Sequence, residues 1–66
     1  MKNSIKVERA KKDMTQEELA KLLGVSRQTV NSMEKNRYAP STILALKLSS
    51  IFECSVNEIF QLEETD

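Results

Sequence analysis

QEELAKLLGVSRQTVNSMEKN, residues 16–36, is the stretch that decides the architecture. It reads as a helix, a sharp break and a second helix. Thr15, just ahead of it, suits an N-cap, and Glu18 three positions on completes a capping box. Leu19, Leu22 and Leu23 then give an apolar stripe. Gly24, the one glycine of the chain, suits a left-handed residue that ends a helix. Ser26 caps the next segment. Val30 and Met33, three apart, share a face and carry that helix to Glu34 or Lys35.

Outward from this core, helix starts recur and strand signals are nearly absent. Ile5 to about Lys12 reads as the first helix. Lys35-Asn36-Arg37-Tyr38-Ala39-Pro40 reads as a loop, because Pro40 disfavours helix at Ala39. Ser41 caps a fourth helix running to Phe52 or Glu53. Ser55 with Glu58 forms a second capping box and opens a short fifth helix that ends near Phe60 or Gln61. The end of the chain, Leu62 to Asp66, is acidic and reads as frayed. Two readings stay open for the ends: a short two-stranded pairing of residues 1–4 with residues 60–63, or none. The expectation is an all-α domain of five helices over residues 1–66, with the informative motif at about 16–35.

The charges are unevenly spread. Net charge is zero over the whole chain, but residues 1–40 carry nine Lys and Arg against five Asp and Glu, and residues 41–66 carry one Lys against five acidic residues. A polyanion responds to the local face rather than to the sum. Between Gly24 and Met33 there is no acidic residue at all. With Val30 and Met33 turned to the core, Arg27, Gln28, Asn31 and Ser32 are left on the outer face. These side chains suit base edges in a DNA major groove, where Arg bonds guanine twice and Asn or Gln bonds adenine twice. Ala20 suits the closest approach of the two helices, and Val25 the inside of the corner. An ordinary solvated helix face explains four polar residues equally well, but not the missing acids.

Other classes have less support. The chain has no histidine, one cysteine, no glycine-rich phosphate loop and no metal-ligand spacing, so the expectation is no enzyme, no cofactor and no metal. No apolar run is long enough to cross a membrane and no signal-peptide pattern is seen, which with the lone cysteine gives the expectation of a cytoplasmic protein. No sensor domain is visible, so no small-molecule ligand is expected. A module that binds only protein, or an antitoxin that binds a toxin and its own operator, are the competing readings; the protein partner they require is not readable in the residues.

Arg9, Met14-Thr15-Gln16-Glu17-Glu18-Leu19-Ala20, Gly24-Val25-Ser26-Arg27-Gln28-Thr29-Val30 and Glu34-Lys35-Asn36-Arg37-Tyr38-Ala39-Pro40-Ser41 together resemble the Cro/C1-type (Xre-like) helix-turn-helix family, over about residues 5 to 60. The resemblance implies a transcriptional regulator bound to double-stranded operator DNA. It implies base reading by Arg27, Gln28, Asn31 and Ser32. Phosphate contacts would come from Gln16 at a helix N-terminus, from Thr29, and from Lys35, Asn36, Arg37 and Tyr38; for Tyr38, packing on Pro40 and the fourth helix is the equal alternative. It also implies a structural ion pair of Arg9 with Glu34. Three departures stand out: Glu8 with Val7 where the apolar residue usually falls at 8, Cys54 at an apolar core position, and Lys12-Asp13 in place of a glycine-containing turn.

One reading helix touches only a few base pairs, so two half-sites read by a two-fold homodimer are expected, with repression through promoter occupancy. Ile43, Leu44, Leu46, Leu48, Ile51 and Phe52 cannot all point inward from one helix. Leu48, Phe52, Val56 and Ile59 read as core. Leu44, Ile51 and Phe60, with Asn57 at the edge, are the expected dimer interface.

Overall fold

The computed structural model describes all residues, Met1–Asp66. Its elements are β1 (Lys2–Asn3), α1 (Ile5–Lys11), α2 (Gln16–Leu23), α3 (Arg27–Glu34), α4 (Thr42–Phe52), α5 (Val56–Ile59) and β2 (Phe60–Gln61). The starts of four helices follow from single side chains. Thr15, Ser26, Ser41 and Ser55 sit in extended backbone, and each accepts the N–H three residues on. In α2 and α5 the glutamate at that third position bonds back to the cap. Each cap satisfies an amide that the helix itself leaves open.

The ends of α1 to α4 share one device. Asp13, Gly24, Asn36 and Glu53 take positive φ of 51, 74, 60 and 56°. The next residue then turns its N–H onto the carbonyl five positions back: Met14 to Arg9, Val25 to Ala20, Arg37 to Ser32 and Cys54 to Ser49. This closes the last turn of each helix. The turn at Lys12-Asp13 thus has the same backbone as the glycine turn at 24, with aspartate in the left-handed position.

Ten apolar residues form the core: Ile5 from α1, Leu19, Ala20 and Leu23 from α2, Val30 and Met33 from α3, Leu44, Leu48 and Phe52 from α4, and Ile59 from α5. Met14, Val25, Ile51, Cys54 and Phe60 pack against it at the edge. Two sequence readings are corrected here. Leu44, expected at a dimer surface, is buried, because it lies one and two helical repeats before Leu48 and Phe52 on a single face. Leu22, expected in the apolar stripe of α2, is exposed, because Leu19, Ala20 and Leu23 define a face that leaves it at the margin. Val56 is half-buried rather than central.

The two strands pair antiparallel, Lys2 with Gln61 and Asn3 with Phe60, and Ser4 N–H continues the pairing onto the Ile59 carbonyl. Residues 63–66 are not frayed as expected: they form a turn in which Glu63 N–H donates to the Asp66 carboxylate and Asp66 N–H to the Glu63 carbonyl. The amino group of Met1 lies 3.0 and 2.9 Å from the Glu63 and Asp66 carboxylates, so the two ends meet. No helix is long and apolar enough to cross a membrane.

Candidate nucleic-acid interface

α3 lies across the core with Val30 and Met33 fully buried beneath it. Its N-terminal turn carries no acid, and Arg27 and Gln28 stand exposed there. Asn31 and Ser32, one turn on, are half-buried. Thr29 is also half-buried; its hydroxyl meets that of the capping Ser26 at 2.9 Å. Arg27, Gln28, Asn31 and Lys35 line one shallow concavity. Gln28, Thr29, Ser32 and Tyr38 line another beside it. Asn36, Arg37 and Tyr38 are exposed on the loop that follows.

The one acid of α3 is withdrawn from this face. Arg9 Nε lies 2.9 Å from Glu34 Oε2, with the two side chains only 16% and 6% exposed. Arg9 Nη1 also donates to the Met14 carbonyl at 2.8 Å. The guanidinium therefore joins the end of α1, the turn before α2 and the end of α3. With Glu34 neutralised, Arg27, Lys35 and Arg37 give the outer surface a cationic character that the zero total charge conceals.

Two side chains expected at phosphate have partners within the chain. Gln16 Nε2 donates to Glu34 Oε1 at 3.1 Å and to Asn31 Oδ1 at 3.3 Å. Both amide hydrogens are used, so Gln16 has none left for phosphate in this arrangement. Asn36, held in the left-handed conformation, accepts from Asn3 Nδ2 at 2.7 Å through its Oδ1. Asn3 was not foreseen from the sequence. Its amide also donates to the Met33 carbonyl at 2.9 Å and accepts from Ile5 N–H at 3.1 Å. It thus closes the end of α3 and opens α1 in place of Ser4, whose side chain makes no cap. A lone asparagine two residues before a helix carries no periodic signal, so only the fold reveals it.

Of the expected interface residues, Ile51 and Phe60 are half-buried edge residues and Asn57 is exposed, whereas Leu44 is inside. The most outward apolar side chains of α4 are Ile43 and Leu46, 67% and 59% exposed. Cys54 packs at the edge of the core. Burial pushes its thiol pKa up, and the nearby Glu8 and Glu58 carboxylates add to the shift. It therefore remains a protonated thiol at neutral pH.

A helix-turn-helix family model matches residues 5–59. The chain belongs to the Cro/C1-type helix-turn-helix family. It is 47% identical over 66 residues to an uncharacterized HTH-type transcriptional regulator of Methanocaldococcus jannaschii, covering all of both chains. An HTH-type regulator of Archaeoglobus fulgidus is 46% identical over 66 residues, all of this chain and 93% of that one. The HTH-type regulator YgzD of Bacillus subtilis is 45% identical over 64 residues, 97% of each chain. In this family α2 and α3 are the two helices of the motif, and the protein is a DNA-binding transcriptional regulator.

Proposed function

We propose that this regulator is a repressor that binds a pseudo-palindromic operator as a homodimer and excludes polymerase by occupying promoter DNA. The observation that carries the reading is the outer face of α3: free of acid in its first turn, braced by buried Val30 and Met33, and relieved of the Glu34 charge by Arg9. Arg27, Gln28, Asn31 and Ser32 read base edges from the major groove. Lys35, Arg37 and Tyr38 hold the backbone beside it, with Thr29 at the groove edge and the Asn36 amide nitrogen beside Arg37. At the start of α2, backbone amides rather than the Gln16 side chain meet phosphate.

One such helix covers too few base pairs for useful specificity, which is why a second copy is required. Its contact is assigned to Ile51, Phe60 and Asn57 together with the outward Ile43 and Leu46. The protein acts in the cytoplasm as a single domain, residues 1–66, with no cofactor. Selection of bound fragments from random duplex DNA, with the mass of the complex measured in solution, tests the whole reading. Enriched inverted half-sites about one helical turn apart, bound by two chains, are expected. A footprint indifferent to Arg27→Ala, Gln28→Ala and Asn31→Ala refutes the assignment of α3.

A further inference from the structure

The hydrogen bonds behind α3 form a chain of fixed polarity. Arg9 only donates, so its partner Glu34 is held as an ionised acceptor. Glu34 Oε1 faces Gln16, 3.1 Å away, and a carboxylate can only be met there by the Gln16 nitrogen. The second hydrogen of that nitrogen points at Asn31, 3.3 Å away. Asn31 must answer with its oxygen, since its nitrogen would set donor against donor. The orientation of both amides is thus dictated by Arg9, on a different helix from either.

We infer that this relay makes Asn31 a donor-only reader, with Gln16 as its positioning residue. With Oδ1 held on Gln16, Nδ2 is the group left to meet a base in the concavity that Asn31 lines with Arg27, Gln28 and Lys35. Bidentate reading of adenine needs the oxygen and the nitrogen of one amide together, to accept from N6 and to donate to N7. A donor alone is better served by guanine, which presents two acceptors, N7 and O6. Asn31 therefore selects a G·C pair over an A·T pair, the reverse of an unconstrained asparagine. Arg27 and Lys35, also donors without acceptors, make the whole concavity complementary to acceptor edges.

The inference rests on the proposed reading of bases by α3, and the experiment separates the two. Fragments selected from random duplex DNA by the wild-type protein, by Asn31→Ala and by Gln16→Met are sequenced, with thermal melts confirming that each variant is folded. Asn31→Ala should flatten one position of each half-site. At that position the wild type should favour G·C over A·T by about fivefold or more. Gln16→Met removes the nitrogen that holds Oδ1 and should shift that ratio toward A·T by about fivefold, leaving the positions read by Arg27 and Gln28 unchanged. A wild-type preference for A·T there overturns the inference without any variant. So does an unchanged ratio in folded Gln16→Met, or an Asn31→Ala profile identical to wild type while other positions stay specific. No enrichment of any sequence by the wild type overturns the base-reading assignment itself.

Discussion

Leu23-Gly24-Val25-Ser26 and Phe52-Glu53-Cys54-Ser55 trace the same corner twice. In each, a buried apolar residue ends a helix, a left-handed residue turns the chain, a half-buried residue fills the inside, and a serine caps the next helix. The backbone is shared; the outcome is not. The first corner leads into eight residues of helix whose first turn is free of acid, tied from behind by Arg9, Gln16 and Asn3. The second leads into four residues that carry Glu58 in a capping box and pass straight into β2. A helix corner is thus a general solution to packing. What makes one of them a reader of DNA is the charge and length of the second helix and the side chains that fix it in place.

The largest expected effect breaks the tie behind the first corner. Arg9→Met should destabilise the fold by about 3 kcal/mol, since it strands the nearly buried Glu34 carboxylate. Adding Glu34→Leu should recover most of that, a pattern that thermal or urea unfolding of the two variants will show. A single change without cost would mean that α3 is held by its apolar face alone.

Equivalent outward positions of the two corners sharpen the contrast in binding. Gln28 and Asn57 each stand two residues after the capping serine. Gln28→Ala should cost about 1–3 kcal/mol of affinity for the preferred site, and Asn57→Ala almost nothing in DNA contact, measured by titration of a labelled duplex with dimer at saturation. Equal losses would mean that the second corner also touches DNA.

The left-handed residues give a smaller and opposite pair of changes. A Cβ at Gly24 meets no atom within 4 Å, so only its φ of 74° resists substitution. Gly24→Ala should therefore cost about 1 kcal/mol. Glu53 already bears that strain at φ 56°. Glu53→Gly should gain roughly 0.5 kcal/mol, the relief being partly offset by the freer unfolded chain. Chemical denaturation of both variants checks the signs.

The smallest effect is one of pH. Glu18 has its carboxyl pKa lowered by the Thr15 backbone N–H and then by the Thr15 hydroxyl. A lowered pKa means that the capping box contributes fully above the ordinary glutamate range and is lost as pH falls through the shifted value. Glu18→Gln should thus be less stable than wild type at neutral pH and converge with it in acid. NMR titration should place Glu18 below the other exposed glutamates. Parallel stability curves down to low pH would remove the carboxylate from the cap.

Most of the fold was legible because short-range chemistry writes it. Thr15, Ser26, Ser41 and Ser55 each announce a helix start by a bond three residues long, and Gly24 announces a turn by its own φ. The short terminal ribbon was left open, since two-residue strands carry no alternation to read. The burial of Leu44 and the exposure of Leu22 were misread. A helix with apolar residues on several sides does not say which side meets the core.

The residue types that make a nucleic-acid face, and the absence of acid among them, belong to the sequence alone, because they depend on spacing along one helix. The tertiary structure decided how those side chains are held. Asn3, Arg9 and Gln16 reach α3 from three other elements, and hydrogen bonds between residues 15 to 33 positions apart follow no local rule. Which atom of Asn31 faces outward is a property of that assembly and of nothing shorter.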